Sequence, residues 1–502
     1  MALDAAGITV DQEMFCDGDF TAKGEVSIAG ARLRRLSFRG ADLAQSGRMG
    51  ADIAETLECD RGFKATGQIH LENANIGGAL SFCGAELKAE GAEDSDRISL
   101  NADLITVGRS VDFGMWVRGG HYERFRSEGE VRVICAHIHG QLECHGAWFK
   151  NEGRESLIAD GLVVDYDAFL DDGFSARGEV RLVGAHVVGQ LSCRDATFTR
   201  ASRAAHDDWP VALRANGLKV DCDLFLDGGF EAEGEVRLSG AHVGADLKCE
   251  NGVFDNLMPS NSALNLEHCE IGGVLIIRPK RFVGALILRK SWSDRYVDNV
   301  HAGEVSPVYT PSRIEVNGFR YNEIRGVTDD ADVDARIAWL KTCSIGTYAP
   351  QPYMQLRAYY LDQGDVKSAR EVAIEKQRAR RSALPSVPGR AWDGFLGWSI
   401  AYGYKPWRVA YFLIAAYMIS LPYFFMCAQV VNVKVANSRI VDVPYPPLYV
   451  ADLMIPLVNL HLRDAWIPSG GVAQAWAAIL VVIGWLLTTL VVAGLSGIFK
   501  KD

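Results

Sequence analysis

Residues 178–193 read GEVRLVGAHVVGQLSC, and residues 234–249 read GEVRLSGAHVGADLKC. Around the first copy, small or apolar residues come in pairs two apart. The pairs are Leu157/Ala159, Leu162/Val164, Ala168/Leu170, Phe174/Ala176, Val180/Leu182, Ala185/Val187, Leu191/Cys193 and Ala196/Phe198. Two residues two apart share one face of a strand, so each pair marks a strand only a few residues long. The next pair starts five or six residues later, which leaves room for a corner and nothing more. An α-helix lacks this period, and hairpins need longer runs. Four such sides make a turn of roughly 22 residues, and stacked turns of that size form a β-solenoid. The rhythm recurs from Leu57/Cys59 to Ala85/Leu87, and again in Leu264/Leu266 and Cys269/Ile271.

A longer repeat supports this reading. ALDAAGITVDQEMFCDGDFTAKGEV (2–26) returns as SLIADGLVVDYDAFLDDGFSARGEV (156–180) and as ALRANGLKVDCDLFLDGGFEAEGEV (212–236). The phasing also decides whether the repeated His and Cys form a metal site. Cys59, Cys144, Cys193 and Cys249 fall on inward positions, where a thiol behaves as a small hydrophobe. His137, His186 and His242 fall on outward positions, and inward and outward side chains cannot share an ion. In HIHGQLECH (137–145), Cys144 points in, while His137, His139 and His145 point out on two different sides. Outward Glu130/Arg132, Glu179/Arg181 and Glu235/Arg237 read as solvated charge ladders that add little stability. No metal ligands, no cofactor and no catalytic constellation are expected.

Of the 502 residues, 63 are acidic and 52 basic, a net charge of -11. That balance argues against nucleic acid as a partner, because phosphate binding rests on basic surface. The 11 cysteines include no CxxC, and MALDAAGITVDQ has no basic-then-apolar signal pattern. A reducing cytoplasm is therefore expected for the solenoid.

The rhythm fades near residue 290, so 1–290 is assigned to the solenoid and the turn-rich 291–330 to a cap. Apolar residues at helical spacing follow in 331–343 and 352–384, and Gly364-Asp365 divides the latter. This predicts a cytosolic helical hairpin over 331–390. Residues 391–502 hold two uncharged apolar runs, 409–431 and 472–499, of 23 and 28 residues. Each exceeds the roughly 20 residues needed to cross a bilayer. Trp398, Tyr402, Tyr404 and Trp407 crowd the first run and Trp466 and Trp476 the second, as in interfacial aromatic belts. Basic residues cluster before the first run and after the second, with few in the loop 432–471, which predicts both termini inside.

Within that loop, an apolar half-span (447–460) holding Asp452 and Pro456 runs into Asn459, His461 and Asp464. It reads either as an interfacial amphipathic helix or as a re-entrant pore segment, though without the TVGYG filter of potassium channels. Ala493 and Gly497 have the spacing that lets membrane helices approach closely.

The blocks APQPYMQLRAYYLDQGDVKSAREVAIEKQRARR (349–381), AYGYKPWRVA (401–410) and IGWLLTTLVVAGLSGIFKKD (483–502) resemble the C-terminal module of a family of uncharacterised bacterial membrane proteins. Their N-terminal halves carry GEVRLxGAxIxGxLxC repeats akin to pentapeptide-repeat solenoids. Some members are labelled membrane-associated oxidoreductases. An oxidoreductase is disfavoured here, because GxGxxG, CxxC, CxxCH, GxSxG and HExxH are all missing from the sequence. The expectation is a non-catalytic, multi-pass protein of the bacterial inner membrane that presents a cytosolic solenoid as an interaction or sensing scaffold. Its expected partners are the lipid bilayer, copies of itself and an unknown cytosolic protein. The alternative is an oligomeric ion channel gated by the solenoid.

Overall fold

The computed structural model describes all residues except 90–96, 119–120, 200–210, 257–260, 300–310, 327–331, 344–347, 384–385, 405–406, 433–438, 456–459 and 496–502. The chain divides into two compact units, Met1–Gln355 and Leu356–Asp502.

The first unit is built mainly from short parallel strands, stacked on their counterparts in the next coil, with one antiparallel pair, Met115–Arg118 and His121–Arg124. Lys64–Thr66, Ile69–His70, Asn75–Ile76 and Leu80–Ser81 are successive strands of one coil. In the coil above, Ala65 meets Leu87, Ile69 meets Leu100, Ile76 meets Val107 and Leu80 meets Val111. All eight side chains are buried. One such column passes from Leu100 through Val131, Leu157, Val180, Leu213 and Val236 to Leu264. The shorter coils need little more than 20 residues, as from Leu3 to Val26 and from Val26 to Gly47. The step from Val180 to Leu213 is longer.

The inward pairs fill the interior as the spacing predicts: Val180, Leu182, Ala185, Val187, Leu191 and Cys193 are all buried. One inward column is aromatic. Phe20, Phe38, Phe63, Phe82, Phe125 and Phe149 follow coil on coil, and the series continues through Phe174, Phe198, Phe230 and Phe254 to Phe282. Successive ring centroids lie 5.2 to 6.4 Å apart, in the range where tilted rings attract beyond their area burial.

Two expectations need correction. Glu179 and Glu235 are buried at 3 % exposure rather than solvated. Each follows a glycine of positive φ (Gly178, 139°; Gly234, 131°), so the turn tucks the carboxylate against the neighbouring coil. Glu179 accepts from Arg214 Nε at 2.5 Å, and Glu235 accepts from Ser262 Oγ at 2.5 Å and from Asn265 at 3.2 Å. A Cβ at Gly178 would lie 2.7 Å from the Asn151 carbonyl oxygen, so backbone approach as well as φ requires glycine there.

The strand ladder also runs past residue 290. Trp292–Asp298 pairs with Arg320–Arg325, and Leu286 pairs with Ile314. Large aromatics replace small inward residues here (Tyr296, Phe319, Tyr321), which hides the pattern in the sequence. Helix α1 (Val333–Cys343) caps the stack: Trp339 packs 6.1 Å from Tyr296. Arg336, 1 % exposed, donates to the fully buried Asp298 at 2.8 Å. At the start of helix α2 (Gln351–Asp362), Gln351 accepts from the Gly318 N–H at 2.8 Å and donates to the Phe319 carbonyl at 2.9 Å. Gln355 donates to the Tyr321 carbonyl at 2.6 Å. These side chains occupy hydrogen-bonding groups that a last coil would otherwise leave open.

The second unit starts within α2, which Gly364 ends at φ 75°. Asp365 then caps α3 (Val366–Ser382) by accepting from the Ser368 N–H at 3.0 Å. Helix α4 (Val387–Ile400) follows, and its buried Asp393 accepts from Arg380 at 2.9 Å. Helices α5 (Arg408–Met426), α6 (Pro446–Met454), α7 (Leu462–Ala465) and α8 (Gly471–Leu495) complete the unit. Helices α5 and α8 are long and apolar enough to cross a membrane. Gln429–Asn432 pairs antiparallel with Val441–Asp442 and with Trp466–Pro468.

Candidate functional site

The site is the short helix that lies between the two long ones. Tyr445 takes the left-handed conformation and Pro446 and Pro447 open α6, a start that fixes the turn into the helix. Tyr449, Val450, Leu453 and Met454 are buried against Phe424 of α5 and Ala473, Ala477 and Leu480 of α8. Those three α8 residues lie on one helical stripe, and Gly484 continues it. A Cβ on Gly484 would sit 2.0 Å from the Met454 carbonyl oxygen. Glycine is therefore what lets the end of α6 touch the α8 backbone.

Gly484 lies thirteen residues beyond the first residue of α8, or ~20 Å along its axis at 1.5 Å per residue. The chain then returns. Tyr449 Oη donates to the Trp466 carbonyl at 3.0 Å, and Trp466–Pro468 joins the small sheet at the end of α5.

Asp452 holds the returning segment. It is fully buried, and its two carboxylate oxygens accept from the backbone N–H groups of Leu460 at 2.7 Å and Arg463 at 2.9 Å. Its charge is thus met by two amides of the same hairpin. The other candidates are scattered. His461 and Asp464 are exposed, with His461 Nδ1 3.6 Å from Asp464 Oδ2. Ala493 lies within α8, while Pro456, Asn459 and Gly497 fall outside the described residues. Sequence reading passed over Gly484 and the stripe of Ala473 and Ala477 that leads to it. Small residues at four- and seven-residue intervals were the available signal.

In the solenoid, the phasing of the histidines is as read: His137 and His139 share one side. His145 stands elsewhere, donating from Nδ1 to the buried Asp171 at 2.6 Å and stacking on Phe169. Burial pushes the Asp112 and Glu143 carboxyls up, and it pushes the Cys83 thiol up to about 12. The inward Cys144, Cys193 and Cys249 thiols are raised by the same cause, which leaves them unreactive packing groups. No family model, curated protein or solved structure matches this chain.

Proposed function

We propose that Leu356–Asp502 assembles as a homo-oligomeric, cation-preferring pore in the bacterial inner membrane, with the four-sided solenoid as its cytoplasmic sensing arm. The observation that carries this reading is the contact of the Met454 carbonyl with Gly484. An interfacial helix would rest beside the first turn of α8, whereas α6 ends ~20 Å further along it. Non-helical backbone at such depth is tolerated only inside protein or beside water. A simple two-helix anchor has no use for this wedge; a pore lining does.

The carbonyl end of α6 carries the negative end of its helix dipole, which favours cations at the depth where the chain turns. Asp452 acts here as a positioning residue that sets the return path, in place of a carboxylate ring facing the ions. The basic residues preceding α5 support a cytoplasmic solenoid.

The test is current through planar bilayers containing the purified full-length chain. The expected result is cation-selective conductance from wild type and silence from Gly484→Leu, with both proteins shown to be inserted. Silent wild-type protein across a range of voltages would leave an anchored interaction scaffold instead.

A further inference from the structure

His137 and His139 flank the inward Ile138, so both imidazoles stand on one outer face of the solenoid, with ring centroids 4.0 Å apart. In the next coil Val163 stacks on His137 and Val164 on Ile138. Asp165 comes next, its N–H donating to the Ile138 carbonyl at 2.9 Å. Its carboxylate reaches between the rings: Oδ1 is 3.0 Å from His137 Nε2, and Oδ2 is 2.7 Å from His139 Nδ1. The three groups offer ligand atoms that all lie within 4.8 Å of one another.

We propose that His137, His139 and Asp165 bind a zinc ion on the outer face of the solenoid, with water in the fourth position. Zinc takes nitrogen and oxygen ligands at about 2.0–2.2 Å, so tetrahedral donors stand roughly 3.4 Å apart. The observed separations reach that value by small ring rotations, with the backbone held by the ladder. Imidazoles favour zinc over calcium or magnesium, which prefer oxygen-only shells. The side chains are 41 %, 44 % and 35 % exposed, which leaves room for a water ligand.

The solenoid carries its own control. Further along the same column His186 meets Asp221 at 3.1 Å, but the third member is Lys219, 2.9 Å from Asp221 and 3.2 Å from His186. Val188 stands at the register position of His139, and the Lys219 ammonium beside the pair opposes a metal. A second cluster, His145 with Asp171 and Asp172, has one oxygen of Asp171 taken by Ser192 Oγ at 2.6 Å.

The experiment uses untagged full-length protein, stripped with chelator, titrated with Zn²⁺ and desalted for metal analysis. Cobalt substitution reports tetrahedral ligation by its visible bands. One zinc per chain at micromolar concentration is expected. H137A/H139A should weaken binding at least tenfold, with H139Q, at an exposed position, as the milder variant should the double change unfold the coil. H145A should keep wild-type affinity. No retained zinc in wild type, unchanged affinity in both H137A/H139A and H139Q, or loss of zinc in H145A would each overturn the assignment.

Discussion

Among the described residues, two carboxylates are removed entirely from solvent, and they are neutralised in different ways. Asp298, in the last coils of the solenoid, accepts from the buried guanidinium of Arg336. Asp452, between the long helices of the second unit, accepts from two backbone amides. The first pairing closes a structure made by repetition, in which each coil supports the next through the same columns. The second belongs to a hairpin whose contacts occur once. Repetition spreads a defect over neighbouring coils, whereas a single contact such as Met454 on Gly484 has no substitute. The solenoid is therefore expected to be damaged most at its cap, and the second unit at its wedge.

The largest effect is expected at the cap. Arg336→Leu takes from the fully buried Asp298 the guanidinium that it accepts from, a cost of about 3–5 kcal/mol. Thermal unfolding followed by β-sheet circular dichroism should show it. Adding Asp298→Leu should restore most of the loss, because no buried charge then remains. A single variant as stable as wild type would mean that Arg336 does not close the stack.

A smaller effect is expected at the hairpin. Asp452→Asn keeps one acceptor but gives up the charge that draws in two amides, costing about 1–3 kcal/mol. Detergent-solubilised protein should unfold at lower temperature, and conductance should fall while ion preference stays nearly constant. A changed preference with unchanged stability would instead put the Asp452 charge on the ion path.

The smallest effect concerns pH. Asp171 raises the His145 imidazole above its ordinary value of 6.5. The folded chain thus holds this proton more tightly than the unfolded chain. The stabilisation is complete below about 6.5 and disappears as pH rises through the folded-state value. The ring is 35 % exposed, so screening keeps the contribution below about 1 kcal/mol. His145→Gln should flatten the decline in solenoid stability as pH rises above about 6.5. A variant with the wild-type slope would assign the decline to other groups.

The same contrast explains what the sequence disclosed. Paired residues two apart, repeated coil after coil, placed Leu191 and Cys193 inside because one short period governs both local and tertiary structure. The phasing reached the faces but not the corners. Glu179 and Glu235 have outward positions, yet the positive-φ glycines before them turn them against the adjacent coil. The ladder beyond residue 290 was hidden where Tyr296, Phe319 and Tyr321 replaced small residues. The half-span at 447–460 was visible from composition, and Asp452 stood out as an acid among apolar neighbours. Its amide partners did not, because no periodicity links residue 452 to 460 and 463. Gly484 was passed over for a related reason: one glycine in an apolar run marks a close approach only when its partner is known.

Helix depth tests the re-entrant arrangement most directly. A nitroxide at Ile455, 40 % exposed at the end of α6, and another at the exposed Gly470 would be compared by power saturation in bilayers. The exposed Cys135, Cys222 and Cys427 would first be replaced by serine. The expected result is an Ile455 label ~15–20 Å deeper than the Gly470 label, from the rise per residue along α8. Equal depths for the two labels, both at the headgroups, would contradict it and return α6 to the membrane surface.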